Sequence, residues 1–240
     1  MAEQPLETEP AKIYQGRLDL VDWGLGFHYA RLTLLLFCMV AFLGLLILGV
    51  FGLEVPESLL IVIDLLAGAI LLIAPVVGLT GSLLCLGIPP EAKTRRYLAV
   101  ALLLDFPLPL AYFALESEPG QLFVYIGAGI VQLLSWAFFM AFLRELARYL
   151  EQEVAADEAL RLLKFGINLY TGILVFTGVV VWFADFARPV STKQPETYWP
   201  GCFLVLAIPV AIYLLYLLSV FLIKQLNLIG TLRQVIRSRT

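Results

Sequence analysis

The chain has one histidine, three cysteines and few charges: Asp, Glu, Lys and Arg together make up 15% of its 240 residues. A single histidine, His28, excludes the multi-histidine metal sites of many membrane oxidases and proteases. Its place beside Tyr29 and Arg31 suits an amphipathic ring at a membrane interface. Cys38, Cys85 and Cys202 are expected at mid-membrane, cytoplasmic and outer positions, so no pair of them is placed for a disulfide or a metal site. Chemical motifs are missing too. The sequence has no Walker A phosphate loop, no His-Glu-x-x-His zinc helix and no Gly-x-Ser-x-Gly nucleophile elbow. No catalytic residue, cofactor site or metal ligand is therefore expected, and the chain reads as a non-enzyme.

What the sequence has instead is apolar length. It is 61% hydrophobic with a mean hydropathy of +0.91, more apolar surface than a soluble domain of this size can hide. Long apolar runs lie at Leu32 to Leu53, Leu59 to Leu84, Tyr97 to Leu115, Gln121 to Leu143, Phe165 to Phe186 and Cys202 to Ile223. Each is near the roughly 20 residues that a helix needs to span hydrocarbon. The expected fold is all-α, a polytopic bundle of six transmembrane helices. An alternative has four main spans forming the core and the last two packed outside it.

Charge placement sets the expected orientation. The net charge is -3, but its distribution matters more than its sum. In a six-span topology Lys12, Arg17, Arg31, Lys93, Arg95, Arg96, Arg144, Arg148, Arg161, Lys164, Lys224, Arg233, Arg237 and Arg239 fall on one side, and only Arg188 and Lys193 on the other. The positive-inside rule makes the first side cytoplasmic, with both termini there. Lys93, Arg95, Arg96, Arg233 and Arg237 are the candidate contacts to anionic lipid headgroups. The acidic first 30 residues do not suit a cleaved signal peptide, so the first span is expected to be an uncleaved signal anchor.

The expected organisation along the chain is a disordered cytoplasmic tail over 1–12, an interfacial segment over 13–30, a membrane domain over 31–226 and a basic cytoplasmic tail over 227–240. Acidic turns at Glu54 to Ser58 and Glu116 to Gly120 imply two antiparallel hairpins. After the fourth span, Leu143, Leu146, Ala147, Leu150 and Val154 keep a helical spacing. Asp157 is placed as the N-cap of the next helix. The segment 144–164 is thus expected to protrude as a cytoplasmic helical hairpin.

Ionisable groups inside hydrocarbon are functional candidates by default. Asp64 and Asp105 qualify, and neither has a Lys or Arg expected at its depth. On the fourth span Gln132 and Ser135 belong to a polar or small stripe that should face protein, with Gln132 at the depth of Asp105. Comparable stripes run through Asp64, Ala67, Gly68, Pro75, Gly78 and Ser82, and through Asn168, Thr171, Gly178 and Asp185. The leading expectation is a structural or partner-binding membrane component, meeting a membrane or cytoplasmic protein through the 144–164 hairpin or the basic C-terminus. The second is a proton-coupled transporter or channel-like protein using Asp64 and Asp105. No cofactor and no nucleic acid is expected; the lipid bilayer is.

Two segments carry a resemblance: Leu84-Cys-Leu-Gly-Ile-Pro-Pro-Glu-Ala-Lys-Thr-Arg-Arg-Tyr-Leu98 and Phe142-Leu-Arg-Glu-Leu-Ala-Arg-Tyr-Leu150. They resemble segments of uncharacterised multi-span membrane proteins of the planctomycete type. In that family a Cys-Leu-x-x-Pro cytoplasmic turn and a Phe-Leu-Arg-x-Leu-Ala-Arg-like helix end recur around apolar spans. The resemblance implies a bacterial cytoplasmic membrane. It implies no activity and carries over no site residue.

Overall fold

A computed structural model describes residues 9–50, 56–89, 94–105, 121–187 and 199–239. The described chain forms α1 (Glu9–Val50), α2 (Glu57–Cys85), α3 (Arg95–Asp105), α4 (Gln121–Tyr149), α5 (Glu153–Ala187) and α6 (Trp199–Arg239), with no strand among the described residues. All but α3 are long and apolar enough to cross a membrane. The protein is a helical membrane protein. The third expected span, Tyr97 to Leu115, is described only as far as Asp105.

Each helix packs against its neighbours in sequence, and α6 closes on α1. The result is a ring of antiparallel helices whose sparsest seam lies between α2 and α3. The last two helices are part of this ring, so the alternative of a four-span core with two outer helices does not hold.

The ring is tightest at one end, where the first half of α1 meets the C-terminal ends of α2, α4 and α6 and the starts of α3 and α5. Leu25, Ile88, Leu98, Leu143, Leu146, Leu150, Ile229, Leu232 and Ile236 are fully buried there and belong to one apolar cluster. Toward the other end Ile61, Leu65, Leu72, Val76, Val175, Tyr213 and Tyr216 are exposed, as side chains facing lipid are.

Two devices hold the tight end. The first is a glycine crossing. A Cβ on Gly24 would lie 2.7 Å from the Gly81 carbonyl oxygen, and one on Gly81 would lie 2.8 Å from that of Gly24. Only glycine at both positions lets α1 and α2 approach backbone to backbone. The second is a charge clamp between α1 and α6. Arg233 Nε donates to Asp22 Oδ1 at 2.9 Å and Arg237 Nε to Asp22 Oδ2 at 3.0 Å, with the Asp22 side chain only 14% exposed. The bond from Arg233, 23% exposed, is worth about 1.5–3 kcal/mol, and the one from Arg237, 62% exposed, less because solvent screens it.

These contacts bear on two expectations. Residues 13–30 continue the helix that begins at Glu9, and Val21, Leu25 and His28 are buried in the ring. The apolar face of the 144–164 segment, including Leu146, Ala155, Ala159 and Leu162, is part of the core, so the segment is not a free arm. The turn between its helices is tighter than the sequence implied: Glu151 adopts φ 58°, Gln152 N–H donates to Ala147 O at 2.8 Å and Glu151 N–H to Arg148 O at 2.9 Å. That is a Schellman ending, and it starts α5 at Glu153, before Asp157. Arg239 Nη2 adds a bond to the Leu150 carbonyl at 2.6 Å.

The crossing makes a direct prediction. Gly81→Ala should cost about 1–3 kcal/mol through backbone displacement. Gly68→Ala, on the same helix with open space around it, should be neutral or stabilising by up to about 1 kcal/mol through helix propensity. Thermal unfolding of both variants in detergent checks the contrast.

Candidate functional site

Inside the ring, next to the tight core, lies a cavity of about 90 Å³ to which every helix contributes. From α1 come His28, Arg31, Leu32 and Leu35, at positions i, i+3, i+4 and i+7 of one helix face. Gln132, Ser135, Trp136 and Phe139 repeat that spacing on α4. Ser82 of α2, Ala101 and Asp105 of α3, Tyr170 of α5, and Phe221, Leu222 and Gln225 of α6 complete the wall. At about 1.5 Å per residue, Arg31 lies about 28 Å from Val50 and about 33 Å from Glu9 along α1. The cavity is therefore well inside the bundle.

Its one close pair of opposite charges is Arg31 and Asp105, with Nη1 3.9 Å from Oδ2 and side chains 22% and 29% exposed. A charge-assisted hydrogen bond closes to about 2.7–2.9 Å, so this pair attracts without closing. The Arg31 side chain reaches the cavity by crossing α2 at Gly78, where a Cβ would lie 2.8 Å from Arg31 Cδ. Ser135 Oγ donates to the Ala101 carbonyl at 3.0 Å and ties α4 to α3. His28 Nε2 and Ser82 Oγ are 3.2 Å apart, and the imidazole packs on Phe139 with ring centroids 4.3 Å apart. No carboxylate bonds to His28 among the described residues, so the pair lacks the third group that orients a catalytic imidazole.

Two polar atoms of the wall are buried without a hydrogen-bond partner, Trp136 Nε1 and Gln225 Oε1, and Gln225 as a whole is 2% exposed. The indole is fixed in place: its ring lies 5.2 Å from Phe221 and 5.9 Å from Tyr170, and it covers Gly166, where a Cβ would collide with it. The cavity wall thus has one cation and one carboxylate between apolar side chains, and two of its residues, Trp136 and Gln225, carry a buried atom with no hydrogen-bond partner among the described residues. That is the composition of a small-molecule site: mostly apolar lining with a few fixed polar groups. Among the described residues no cluster of His, Cys, Asp and Glu could hold a metal ion.

Of the residues singled out by sequence, Asp105, Gln132 and Ser135 meet in the cavity. Gln132 and Asp105 share its wall, but no hydrogen bond joins them among the described residues, and it is Ser135 that ties α4 to α3. Asp64 is elsewhere. It is exposed on the outward face of α2 between Ile61 and Leu65, fourteen residues, or about 21 Å of helix, from Gly78. The stripe expected on α5 also turns outward: Asn168 and Thr171 are exposed, and the Thr171 hydroxyl bonds back to the Ile167 carbonyl at 2.8 Å.

The headgroup candidates divide as well. Arg95 Nε donates to the Ile88 carbonyl at 2.8 Å, and the Arg96 guanidinium sits 5.1 Å over the Tyr97 ring. Arg233 and Arg237 serve the clamp on Asp22. Lys93 lies outside the described residues.

Sequence reading missed Arg31, His28, Ser82, Trp136, Tyr170 and Gln225. It set Arg31 and His28 at the membrane edge because the first apolar run begins at Leu32. The helical spacing from His28 to Leu35 was the signal available. No protein family, curated protein or solved structure matches the chain.

Leaving Gln225 Oε1 unpaired costs about 1–3 kcal/mol. Gln225→Met keeps the volume and removes that acceptor. Its thermal midpoint in detergent should rise. A midpoint that stays or falls means that water or a ligand already satisfies the oxygen.

Proposed function

We propose that the protein is a carrier for a small polar solute, with the six-helix cavity as its binding site and Asp105 as its proton-accepting group. The observation behind this reading is the open Arg31–Asp105 pair, 3.9 Å apart, on the wall of a cavity to which all six described helices contribute. Charged groups inside an apolar bundle are normally closed on a partner, and a pair left open beside a cavity has hydrogen-bonding capacity that a ligand can use. A carboxylate inside an apolar bundle exchanges protons according to whether a cation faces it, which gives Asp105 a natural coupling role.

The proposal includes six spans, with α3 continuing as the third, and both termini on the cytoplasmic side of a bacterial inner membrane. The support is that Arg95, Arg144, Arg148, Arg161, Lys164, Lys224 and the C-terminal arginines all belong to the tight end of the ring. The scaffold reading has less support. The 144–164 segment and the basic C-terminus use their apolar faces, and most of their C-terminal arginines, on one another and on α1.

Flux into proteoliposomes under a proton gradient tests the carrier. Pyruvate, alanine and glycerol serve as anionic, zwitterionic and neutral probes, with an internal pH dye as readout. The wild type should move protons with one of them and Asp105→Asn should not, while Asp64→Asn should behave as wild type. Equal proton flux in wild type and Asp105→Asn removes the reading.

A further inference from the structure

We infer that the solute is a small monocarboxylate, which takes the place of Asp105 on the Arg31 guanidinium while Asp105 takes up one proton. The inference rests on the proposed binding role of the cavity and names its ligand.

The donors come first. Arg31 has five N–H groups in a planar fork that matches a carboxylate in two bonds. Among the described residues its only polar partner is Asp105, at 3.9 Å. A guanidinium with N–H groups to spare selects an acceptor-rich ligand, and a carboxylate already stands beside it in the form of Asp105. A ligand carboxylate therefore replaces like with like. Leu32, Leu35 and Leu222 offer its short carbon chain an apolar wall.

Size and charge narrow the class. One water needs roughly 10–15 Å³ by the measure in which this cavity has about 90 Å³, so the space takes about six to nine water-sized groups. Arg31 is the one permanent cation on the wall. A dianion such as hydrogen phosphate would leave excess negative charge in an apolar bundle, which is costly.

A monoanion adds one negative charge to a neutral pair. Once its cation is taken, Asp105 takes up a proton released by the buffer, its carboxylate becoming a carboxylic acid, and the cavity is neutral again. The other titratable groups facing it are His28 on α1 and Tyr170 on α5. The walls from α2, α4 and α6 supply Ser82, Gln132, Ser135 and Gln225, none of which changes charge near neutral pH. Asp105 is the group best placed to balance the anion.

The test is calorimetric titration of the purified full chain in detergent near pH 7 with pyruvate, alanine and phosphate, repeated in buffers of different ionisation enthalpy to count protons. Pyruvate should bind, with uptake of about one proton. Asp105→Asn should still bind it without proton uptake. Arg31→Gln should lose about tenfold or more in affinity, equivalent to about 1.4 kcal/mol. Should Arg31→Gln fail to elute as a folded species, Arg31→Lys keeps the charge and removes the planar fork, and it should weaken pyruvate severalfold.

Preferred binding of alanine or phosphate, no binding of pyruvate, or pyruvate binding without proton uptake in the wild type each overturns the inference. Pyruvate binding with proton uptake but no flux in vesicles leaves it standing and removes the carrier reading. Proton-coupled glycerol flux without pyruvate binding does the reverse.

Discussion

An arginine and an aspartate inside an apolar ring must answer each other, because side chains only 22% and 29% exposed have little water to solvate either alone. Arg31 and Asp105 sit on helices that otherwise have little contact, α1 and α3, and their attraction acts across the middle of the ring. Much of the surroundings suits this demand. Gly78 is bare so that the arginine stem can cross α2. Ser135 holds α3 against α4 through the Ala101 carbonyl, one helical turn from Asp105. The pair stands 3.9 Å apart, longer than a charge-assisted hydrogen bond, and a cavity lies beside it.

The tight end explains how such a costly centre is tolerated. Partly buried charges and unpaired atoms subtract from stability. Here they adjoin a core in which Leu25, Leu98, Leu143, Leu146, Ile229 and Leu232 are fully buried, and each such side chain contributes on the order of 1.5–3 kcal/mol where water is the alternative. The glycine crossing of α1 with α2 and the Asp22 clamp of α1 on α6 fix α1 from both sides. The position of Arg31 follows from that.

Much of this was legible in the residues. Run lengths showed long apolar helices, and the spacing on α4 put Gln132 and Ser135 on the protein-facing side, where the structure has them beside Asp105. Helix ends were less legible. A hydropathy window reads Leu32 as the start of a span, but α1 begins at Glu9 because Asp22, His28 and Arg31 all find partners inside the ring. A polar side chain reads as an interface marker until its partner is known, and the partners on α6 lie more than 200 residues away in sequence. The same blindness misplaced Asp64: an acid in an apolar run looks buried, and only packing shows that its face of α2 is turned outward. The Glu151 turn was hidden for a different reason, since a non-glycine residue at positive φ has no sequence signature.

A double-mutant cycle on Arg31 and Asp105 tests the central claim most directly. Thermal or denaturant unfolding in detergent is measured for the wild type, Arg31→Gln, Asp105→Asn and the double variant. Coupled charges facing one cavity should be non-additive by about 0.5–3 kcal/mol, with the double variant more stable than the sum of the single losses implies. Strict additivity would contradict the account, because it would mean that the arginine and the aspartate stand near each other without interacting.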